Sequence, residues 1–323
     1  EAEAQLLEAA VTEAAPPPAA APAAAGEPHP AELPAAEVEV LQVVGEGSCS
    51  VLHLAKLRGH HVAVKELKPC AGTDVQHDLQ ILRQEVLSKR SLNHTHLLRV
   101  FGILEGPPPF RLVIEYCAGG SVHSLLHGGA EGEERRPLSW RQRSKLLLDT
   151  ASAMEYLHGR TPPVVHSDLR SASLLLAEPV VGLPSPPHVK VTALGFARTG
   201  PRSAARGADA WPWLAPELLD GGGGTLKADV YSFAMLGYEA VCRAVPFEGM
   251  GREEAFSSIR AGRRPSLAGS DCGVDAVTSG LVGLVEKCWQ QEPFLRPSFW
   301  LVRLEVFQLQ LRSGAGDGSL PSS

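Results

Sequence analysis

The stretch VVHSDLRSASLLL at residues 164–176 decides the fold when it is considered together with the ordered segments on both sides of it. Each of those segments is weak evidence alone, since a Gly-x-Gly pair, for example, is common in hairpins. In chain order they are GEGSCSV at 45–51, VAVK at 62–65, VTALGFAR at 191–198, LAPEL at 214–218, ADVYSF at 228–233 and CWQQEPFLRPSF at 288–299. The probability that so many short motifs occur in this order and spacing by chance is very low, so the series as a whole predicts the fold.

Hydrophobic periodicity divides the chain into two parts. Residues 37–116 carry five short runs rich in β-branched side chains, separated by glycine, proline or charged segments, which predicts a five-stranded antiparallel sheet. One helical stripe, DLQILRQEVLSKRSL at 78–92, interrupts these runs. From 117 to 312 helical periods dominate, as in KLLLDTASAMEYLH at 145–158. The predicted fold class is therefore α+β, with a small sheet lobe over 37–116 and a larger, mainly helical lobe over 117–312.

The two ends of the chain lack such periodicity. Residues 1–36 contain fifteen Ala and seven Pro and few bulky apolar groups, which predicts a disordered tail. Residues 313–323 are predicted to be a second flexible tail.

Charge and cysteine usage exclude several classes of function. With 30 basic and 36 acidic residues the net charge is −6, so binding of nucleic acid across the whole surface has no electrostatic basis. No apolar stretch is long enough for a membrane span, and the first ten residues lack the pattern of a secretory signal. The six cysteines form no CxxC pair, which favours reduced thiols. These observations predict a cytoplasmic protein with no nucleic-acid partner and no membrane span.

Two features of the first part could bind an anionic ligand, and a third could orient one of them. Gly45-x-Gly47 lets backbone N–H groups approach a phosphate with no Cβ in the way. Lys65 follows on a strand, and Glu85 on the helix could pair with it and hold its ammonium toward the ligand. The alternative interpretation of Glu85 is a solvated carboxylate on the helix face.

The ordered series resembles a protein kinase over about residues 37–312. The runs LNHTHLLRVFG at 92–102 and LVIEYCAGGSVHSLLHG at 112–128, with the C-W and R-P-S ending, resemble the tyrosine-kinase-like group of mixed-lineage and Raf-type kinases. The resemblance implies a two-lobed fold with ATP bound in the cleft between the lobes.

The resemblance also assigns residues to that cleft. Gly45 and Gly47 match the loop over the nucleotide phosphates, with Ser50 at the position of its third glycine. Lys65 matches the lysine that contacts the α- and β-phosphates, and Glu85 its helix partner. The backbone of 115–117 matches the hinge that binds adenine. The residues thereby implied at the base are Glu115 and Cys117 at the hinge, Ile114 beside the ring, and Ala63 and Val51 on its faces.

The positions of the family's catalytic machinery are only partly retained. Asp168 matches the aspartate that accepts the substrate hydroxyl proton, but Arg170 replaces the usual lysine two residues later. Ser173 and Ala193 occupy the positions of the asparagine and aspartate that hold the family's Mg²⁺ ions. Neither offers a good oxygen ligand, so Mg²⁺ binding is doubtful and no metal residue is assigned. The loss of these metal ligands predicts a rate of phosphoryl transfer that is lower by roughly three to four orders of magnitude.

The framework positions of the family are present. Glu217 and Arg296 match a buried ion pair of the helical lobe, and Asp229 matches a carboxylate at a helix start that anchors the catalytic-loop backbone.

Three functions remain open from the sequence. The first is a pseudokinase that binds ATP and presents surfaces to a protein partner, either a kinase or a substrate. The second is a slow Ser/Thr kinase that uses Asp168 and Lys65, and the third is a scaffold whose cleft holds no nucleotide.

Overall fold

The computed structural model describes residues 32–47, 50–68, 75–106, 109–128, 135–183, 185–193, 210–219, 221–268 and 276–314. These residues form two lobes, as the sequence predicted. The small lobe is a twisted sheet with one helix, α1 (Val75–Lys89), and the large lobe is mainly helical.

Within the described residues, the sheet of the small lobe has six strands rather than the five predicted. They are β1 (Glu32–Leu33), β2 (Val38–Glu46), β3 (Ser50–Leu57), β4 (His60–Leu67), β5 (Val100–Leu104) and β6 (Arg111–Glu115). Their order is β1-β5-β6-β4-β3-β2. The pairs β2–β3, β3–β4, β4–β6 and β5–β6 are antiparallel, but β1 runs parallel to β5, so the sheet is mixed.

The additional strand β1 lies within the segment predicted to be a tail. The Leu33 carbonyl accepts a hydrogen bond from the Glu105 N–H at 2.9 Å. The Leu33 side chain is only 3% exposed and packs with Val64 and Val113 on one face of the sheet. The gain from burying one leucine offsets the poor strand propensity of its Ala/Pro-rich surroundings. The ordered domain therefore begins by Glu32, and the prediction that residues 32–36 belong to the tail is wrong.

Six helices build the large lobe within the described residues. They are α2 (Val122–His127), α3 (Trp140–His158), α4 (Leu226–Cys242), α5 (Arg252–Arg260), α6 (Ala276–Cys288) and α7 (Phe299–Gly314). A short hairpin, β7 (Leu174–Leu176) and β8 (Val189–Val191), lies beneath the small lobe. No helix of the described ranges is both long enough and apolar enough to span a bilayer.

Helix α4 is the centre of the large-lobe core. It is apolar around most of its circumference, and Tyr231 and Phe233 are almost fully buried. At Gly237 an added Cβ would lie 2.6 Å from Cγ2 of Val285 on α6, so glycine permits the close approach of the two helices. The Thr225 hydroxyl caps the start of α4 by accepting from the Ala228 N–H at 3.0 Å. This cap fixes where Asp229 stands.

The predicted ion pair between Glu217 and Arg296 is confirmed. Two guanidinium nitrogens of Arg296 donate to the two carboxylate oxygens of Glu217 at 2.7 and 2.9 Å. The Arg296 side chain has no exposed surface, and it also donates to backbone carbonyls of Lys227, Gln290 and Gln291. This bidentate geometry suits the planar guanidinium and satisfies its donors inside the protein.

Candidate functional site

Asp229 anchors the loop that carries Asp168 (residues 164–173, the Asp168 loop). Its carboxylate accepts the backbone N–H groups of His166 at 2.8 Å and Ser167 at 2.7 Å, together with Nε2–H of His158 at 2.9 Å. Asp229 is 1% exposed, so these charge-assisted bonds form away from water. They hold Ser167 at a φ of 68°, a left-handed conformation that a serine rarely adopts. The predicted role of Asp229 is confirmed.

Both oxygens of the Asp168 carboxylate face polar neighbours in the same loop. Nε of Arg170 lies 3.1 Å from Oδ1, and the Ser173 hydroxyl donates to Oδ2 at 3.4 Å. Arg170 and Asp168 form an ion pair but not a hydrogen bond, because Nε–H of Arg170 is not aligned with any acceptor among the described residues. The side chain of Asp168 remains 27% exposed, so it is accessible from solvent.

Ser173 and Ala193, which the resemblance assigns to the family's metal positions, do not fit a divalent ion. Ala193 is 7% exposed and its methyl group packs into the large-lobe core. Ser173 is equally buried, and its hydroxyl is directed toward Asp168. The neighbouring hydroxyl of Thr192 donates to the Ser173 carbonyl at 3.0 Å, so it is engaged elsewhere. Hard cations require several oxygen ligands, usually with carboxylate charge, and neither position supplies one. Leu194 and Gly195 of the same motif lie outside the described residues.

An apolar surface lines the cleft between the lobes. Ala63 and Ile114 belong to the buried cluster on the inner face of the sheet. Four half-buried side chains pack against that cluster: Leu52 from β3, Tyr116 and Cys117 after β6, and Leu175 from β7. Leu175 alternates with Leu174 and Leu176, which face the large-lobe core instead. Leu52 and Leu175 therefore supply apolar groups from the two lobes, a surface suited to a planar aromatic ring. Sequence reasoning missed both residues.

Val51 was predicted to contact the adenine ring together with Ala63, but the two residues lie on opposite faces of the sheet. In the β3–β4 pair Val51 lies opposite Glu66, whereas Leu52 lies opposite Lys65 and Leu54 opposite Ala63. Residues paired directly across a sheet share one face, and a shift of one residue reverses the face. Leu52, not Val51, therefore lies on the cleft face with Ala63 and Lys65.

The segment Glu115–Cys117 connects the lobes and is fixed at its first residue. The Glu115 carboxylate accepts the Arg99 N–H at 3.1 Å and pairs with Lys190 of β8 at 2.9 Å. No described residue bonds the backbone N–H of Cys117, which leaves it available to a ligand. Burial raises the pKa of the Cys117 thiol to about 12, with a smaller contribution from the Glu115 charge. The thiol is therefore neutral near pH 7.

The two loop glycines are not required by packing of the protein itself. A Cβ added at Gly45 would lie 3.8 Å from Cβ of Leu52, and one at Gly47 would lie 3.8 Å from the Ser50 carbonyl oxygen. Both are ordinary contact distances. Neither glycine has a left-handed φ. The advantage of glycine here is thus the open space beside the backbone, which suits the approach of an anionic group. Ser48 and Cys49 lie outside the described residues.

Glu85 forms an ion pair within its own helix. Its Oε1 lies 3.0 Å from Nζ of Lys89, one turn further along α1, in the favourable order of acid before base. Lys65 lies on the cleft face of β4, opposite Leu52 and Leu112. A pair between Lys65 and Glu85 would have to share the carboxylate with Lys89, and that pair stays a prediction.

The amino-acid sequence is similar to those of known proteins. A family model described as protein tyrosine and serine/threonine kinase matches residues 38–305. The chain is 30% identical over 270 residues to the probable serine/threonine-protein kinase drkC of Dictyostelium discoideum, covering 82% of this chain and 34% of that protein. It is also 30% identical over 275 residues to the serine/threonine-protein kinase CTR1 of Arabidopsis thaliana, covering 83% of this chain and 31% of that protein. The chain thus spans about a third of the length of these two relatives.

Proposed function

Since the chain belongs to the protein tyrosine and serine/threonine kinase family, we propose that it is a pseudokinase. It binds ATP in the cleft between the lobes and acts by presenting its surfaces to a protein partner. The observation that carries this proposal is the pair Ser173 and Ala193 at the positions where the family holds its metal ions.

The cleft supports nucleotide binding. Leu52, Ala63 and Leu175 offer apolar contact to the adenine, and the Cys117 N–H is available to its edge. Gly45 and Gly47 leave room for phosphate oxygens beside the backbone, and Lys65 on the same face supplies a positive charge. Bound Mg²⁺ would normally neutralise the phosphates, but the metal positions do not fit it. ATP therefore relies on these groups of the protein alone.

The chemistry at Asp168 supports a low or absent rate of transfer. A general base must be free to accept a proton from the substrate hydroxyl. Here the Arg170 cation lies against one carboxylate oxygen and the Ser173 hydroxyl against the other. Together with the missing metal ligands, this lowers the expected rate by roughly three to four orders of magnitude.

A slow Ser/Thr kinase is the second candidate, and one observation favours it. Asp229 holds the backbone on the N-terminal side of Asp168 with two bonds of 2.7 and 2.8 Å, so the loop keeps a rigid geometry. Both relatives described above are named as serine/threonine kinases.

We also propose a reducing, cytoplasmic location. Cys117 and Cys288 are free thiols, and burial raises the pKa of Cys288. Free thiols are typical of proteins in reducing compartments.

Two measurements test the proposal. In a thermal-shift titration, ATP at one hundred times its dissociation constant should stabilise the protein by about 2.7 kcal/mol, with or without Mg²⁺. In a radiolabel assay with ATP, Mg²⁺ or Mn²⁺ and a generic protein substrate, no transfer above background is expected. Turnover that disappears in Asp168→Ala would instead establish the slow kinase. Absence of any shift with ATP would contradict nucleotide binding and favour a closed cleft.

A further inference from the structure

Helix α2 and helix α4 bring together two imidazoles and a carboxylate in the large lobe. His127 Nε2 lies 2.8 Å from Glu239 Oε1, and His123 Nδ1 lies 4.0 Å from the same oxygen. The three ligand atoms all lie within 4.8 Å of one another. His123 and His127 are one helical turn apart on α2, so their side chains lie on one face.

We propose that His123, His127 and Glu239 form a binding site for one Zn²⁺ ion. This site is independent of the nucleotide cleft and of the proposed function.

The distances suit a small tetrahedral ion. Bonds of about 2.0–2.1 Å from zinc to imidazole nitrogen or carboxylate oxygen place neighbouring ligand atoms about 3.4 Å apart. The two separations from Glu239 Oε1, 2.8 and 4.0 Å, lie on either side of that value. Shifts of well under 1 Å per side chain would therefore admit the ion, and a water molecule would complete the four ligands.

The charge of Glu239 is incompletely balanced without a metal. Its side chain is 0% exposed, and its ion-pair partners among the described residues are His123 and His127, which carry charge only when protonated. A buried carboxylate is costly unless a cation compensates it. A divalent ion bound by two neutral imidazoles would supply that charge at neutral pH.

The surroundings hold the carboxylate in a ligating orientation. Nε1–H of Trp213 donates to Glu239 Oε2 at 2.7 Å, which leaves Oε1 directed toward the histidines. The Ser171 hydroxyl donates to Oε1 at 2.6 Å and lies 3.1 Å from Nδ1 of His123. Hydrogen bonds to a ligating carboxylate, such as those from Trp213 and Ser171, are usual around metal sites in proteins. The contact between Ser171 and Nδ1 of His123 would be replaced by the bond from Nδ1 to the ion.

The helix that carries the histidines is fixed by contacts other than theirs. Arg243, just after α4, donates to the carbonyl of Leu126 at 2.7 Å and to that of Leu125 at 3.2 Å. These bonds join the last turn of α2 to the end of α4. The two elements that supply the ligands are thus held together before any ion binds.

The ligand set selects zinc over the ions that accompany nucleotides. Two imidazole nitrogens and one carboxylate oxygen suit Zn²⁺, while Mg²⁺ and Ca²⁺ require mainly oxygen ligands. The His123 side chain is 40% exposed, which gives the ion a path from solvent. Because Ser171 belongs to the Asp168 loop, a bound ion would link that loop to α2 and α4.

Zinc binding by the full chain, first stripped of metal with a chelator, tests the site. Titration with ZnSO₄ against a competing zinc indicator should give one ion per chain, together with a rise in melting temperature that MgCl₂ does not produce. His123→Ala, which removes the most exposed ligand, should weaken Zn²⁺ at least about tenfold. Its melting temperature in chelator reports whether it folds, and Glu239→Gln provides a second variant with nearly the same shape.

The control is the double variant His60→Ala, His61→Ala, which removes two exposed histidines of the small lobe. It should bind Zn²⁺ as the parent does. The proposal is overturned if the parent binds no zinc, if folded His123→Ala binds it as tightly as the parent, or if the control loses as much affinity. Cobalt substitution adds a spectroscopic test, since a thiolate-to-metal charge-transfer band would assign the ion to cysteines instead.

Discussion

Leu52 lies directly opposite Lys65 across strands β3 and β4, and both side chains occupy the face of the sheet that lines the cleft. Val51, one residue earlier, lies on the other face opposite Glu66. The alternation of side chains along β3 therefore decides which apolar residue of this strand faces the candidate nucleotide site.

This relationship predicts different effects for two neighbouring substitutions. Leu52→Gln places a polar amide against the ring of a bound nucleotide and should weaken a fluorescent ATP analogue at least about tenfold. Val51→Gln makes the same chemical change on the opposite face and should leave the affinity within about twofold. Fluorescence titration measures both dissociation constants. Equal weakening by the two variants would mean that the assigned face is wrong.

Restoring oxygen ligands should restore dependence on metal. In the double variant Ser173→Asn, Ala193→Asp, two amide or carboxylate groups occupy the metal positions, so stabilisation by ATP should increase when Mg²⁺ is added. The parent should show the same thermal shift with and without Mg²⁺. The matched control is Ser173→Asn, Ala193→Asn, which has nearly the same size but lacks the negative charge. If the double variant responds to Mg²⁺ no more than this control does, the metal positions have been misassigned.

Replacing the anchor of the Asp168 loop should destabilise the large lobe. Asp229→Asn keeps one oxygen but presents an NH₂ group to a backbone donor, which leaves a buried hydrogen bond unmade. The free energy of unfolding should fall by about 1–3 kcal/mol, measured by urea denaturation. Glu286→Gln, an exposed change on α6, serves as the control and should stay within about 0.5 kcal/mol of the parent. An unchanged midpoint for Asp229→Asn would show that the loop is held by other contacts.

Because of the buried imidazole of His94, we expect the folded protein to become less stable in acid. Burial lowers the pKa of His94 to about 4, with smaller contributions from His96 and Lys190. Its Nδ1 accepts the His96 N–H at 3.1 Å, and protonation would remove that acceptor. Below about pH 6.5, the ordinary histidine pKa, the unfolded chain binds a proton that the folded chain refuses. The contribution of His94 to the free energy of unfolding is therefore fully present above about pH 6.5 and is lost as the pH falls toward 4.

Urea midpoints measured between pH 7 and 4.5 test this prediction. His94→Asn keeps an oxygen that can accept the His96 N–H but does not titrate, so it should lose less stability in acid than the parent. His60→Asn, an exposed histidine on β4, should follow the parent curve. A parallel loss in His94→Asn and the parent would assign the acid sensitivity to other groups.

The sequence predicted the class of fold and the anchoring of the Asp168 loop by Asp229 because those positions belong to motifs of fixed spacing. Strand β1 was missed because Glu32–Leu33 has no strand pattern of its own, and its pairing with β5 is set by burial of Leu33 some seventy residues away in sequence from its partners. The resemblance assigned Val51 to the ring, and only the register of β3 with β4 shows that Leu52 is the one of the two apolar neighbours on the cleft face.

The histidine and glutamate cluster shows a different limit. The one-turn spacing of His123 and His127 is visible in the sequence, but Glu239 follows His127 by 112 residues. No local pattern connects the two segments. Their proximity comes from the packing of α2 against the end of α4, which only the folded structure reveals.

Arg296 joins parts of the large lobe that are far apart in the chain. It contacts Glu217 before α4, the Lys227 carbonyl in the first turn of α4, and the carbonyls of Gln290 and Gln291 after α6. Local opening of any one of these segments would leave the fully buried guanidinium without some of its hydrogen-bond partners. Their amide protons should therefore exchange with deuterium together, through the same cooperative opening.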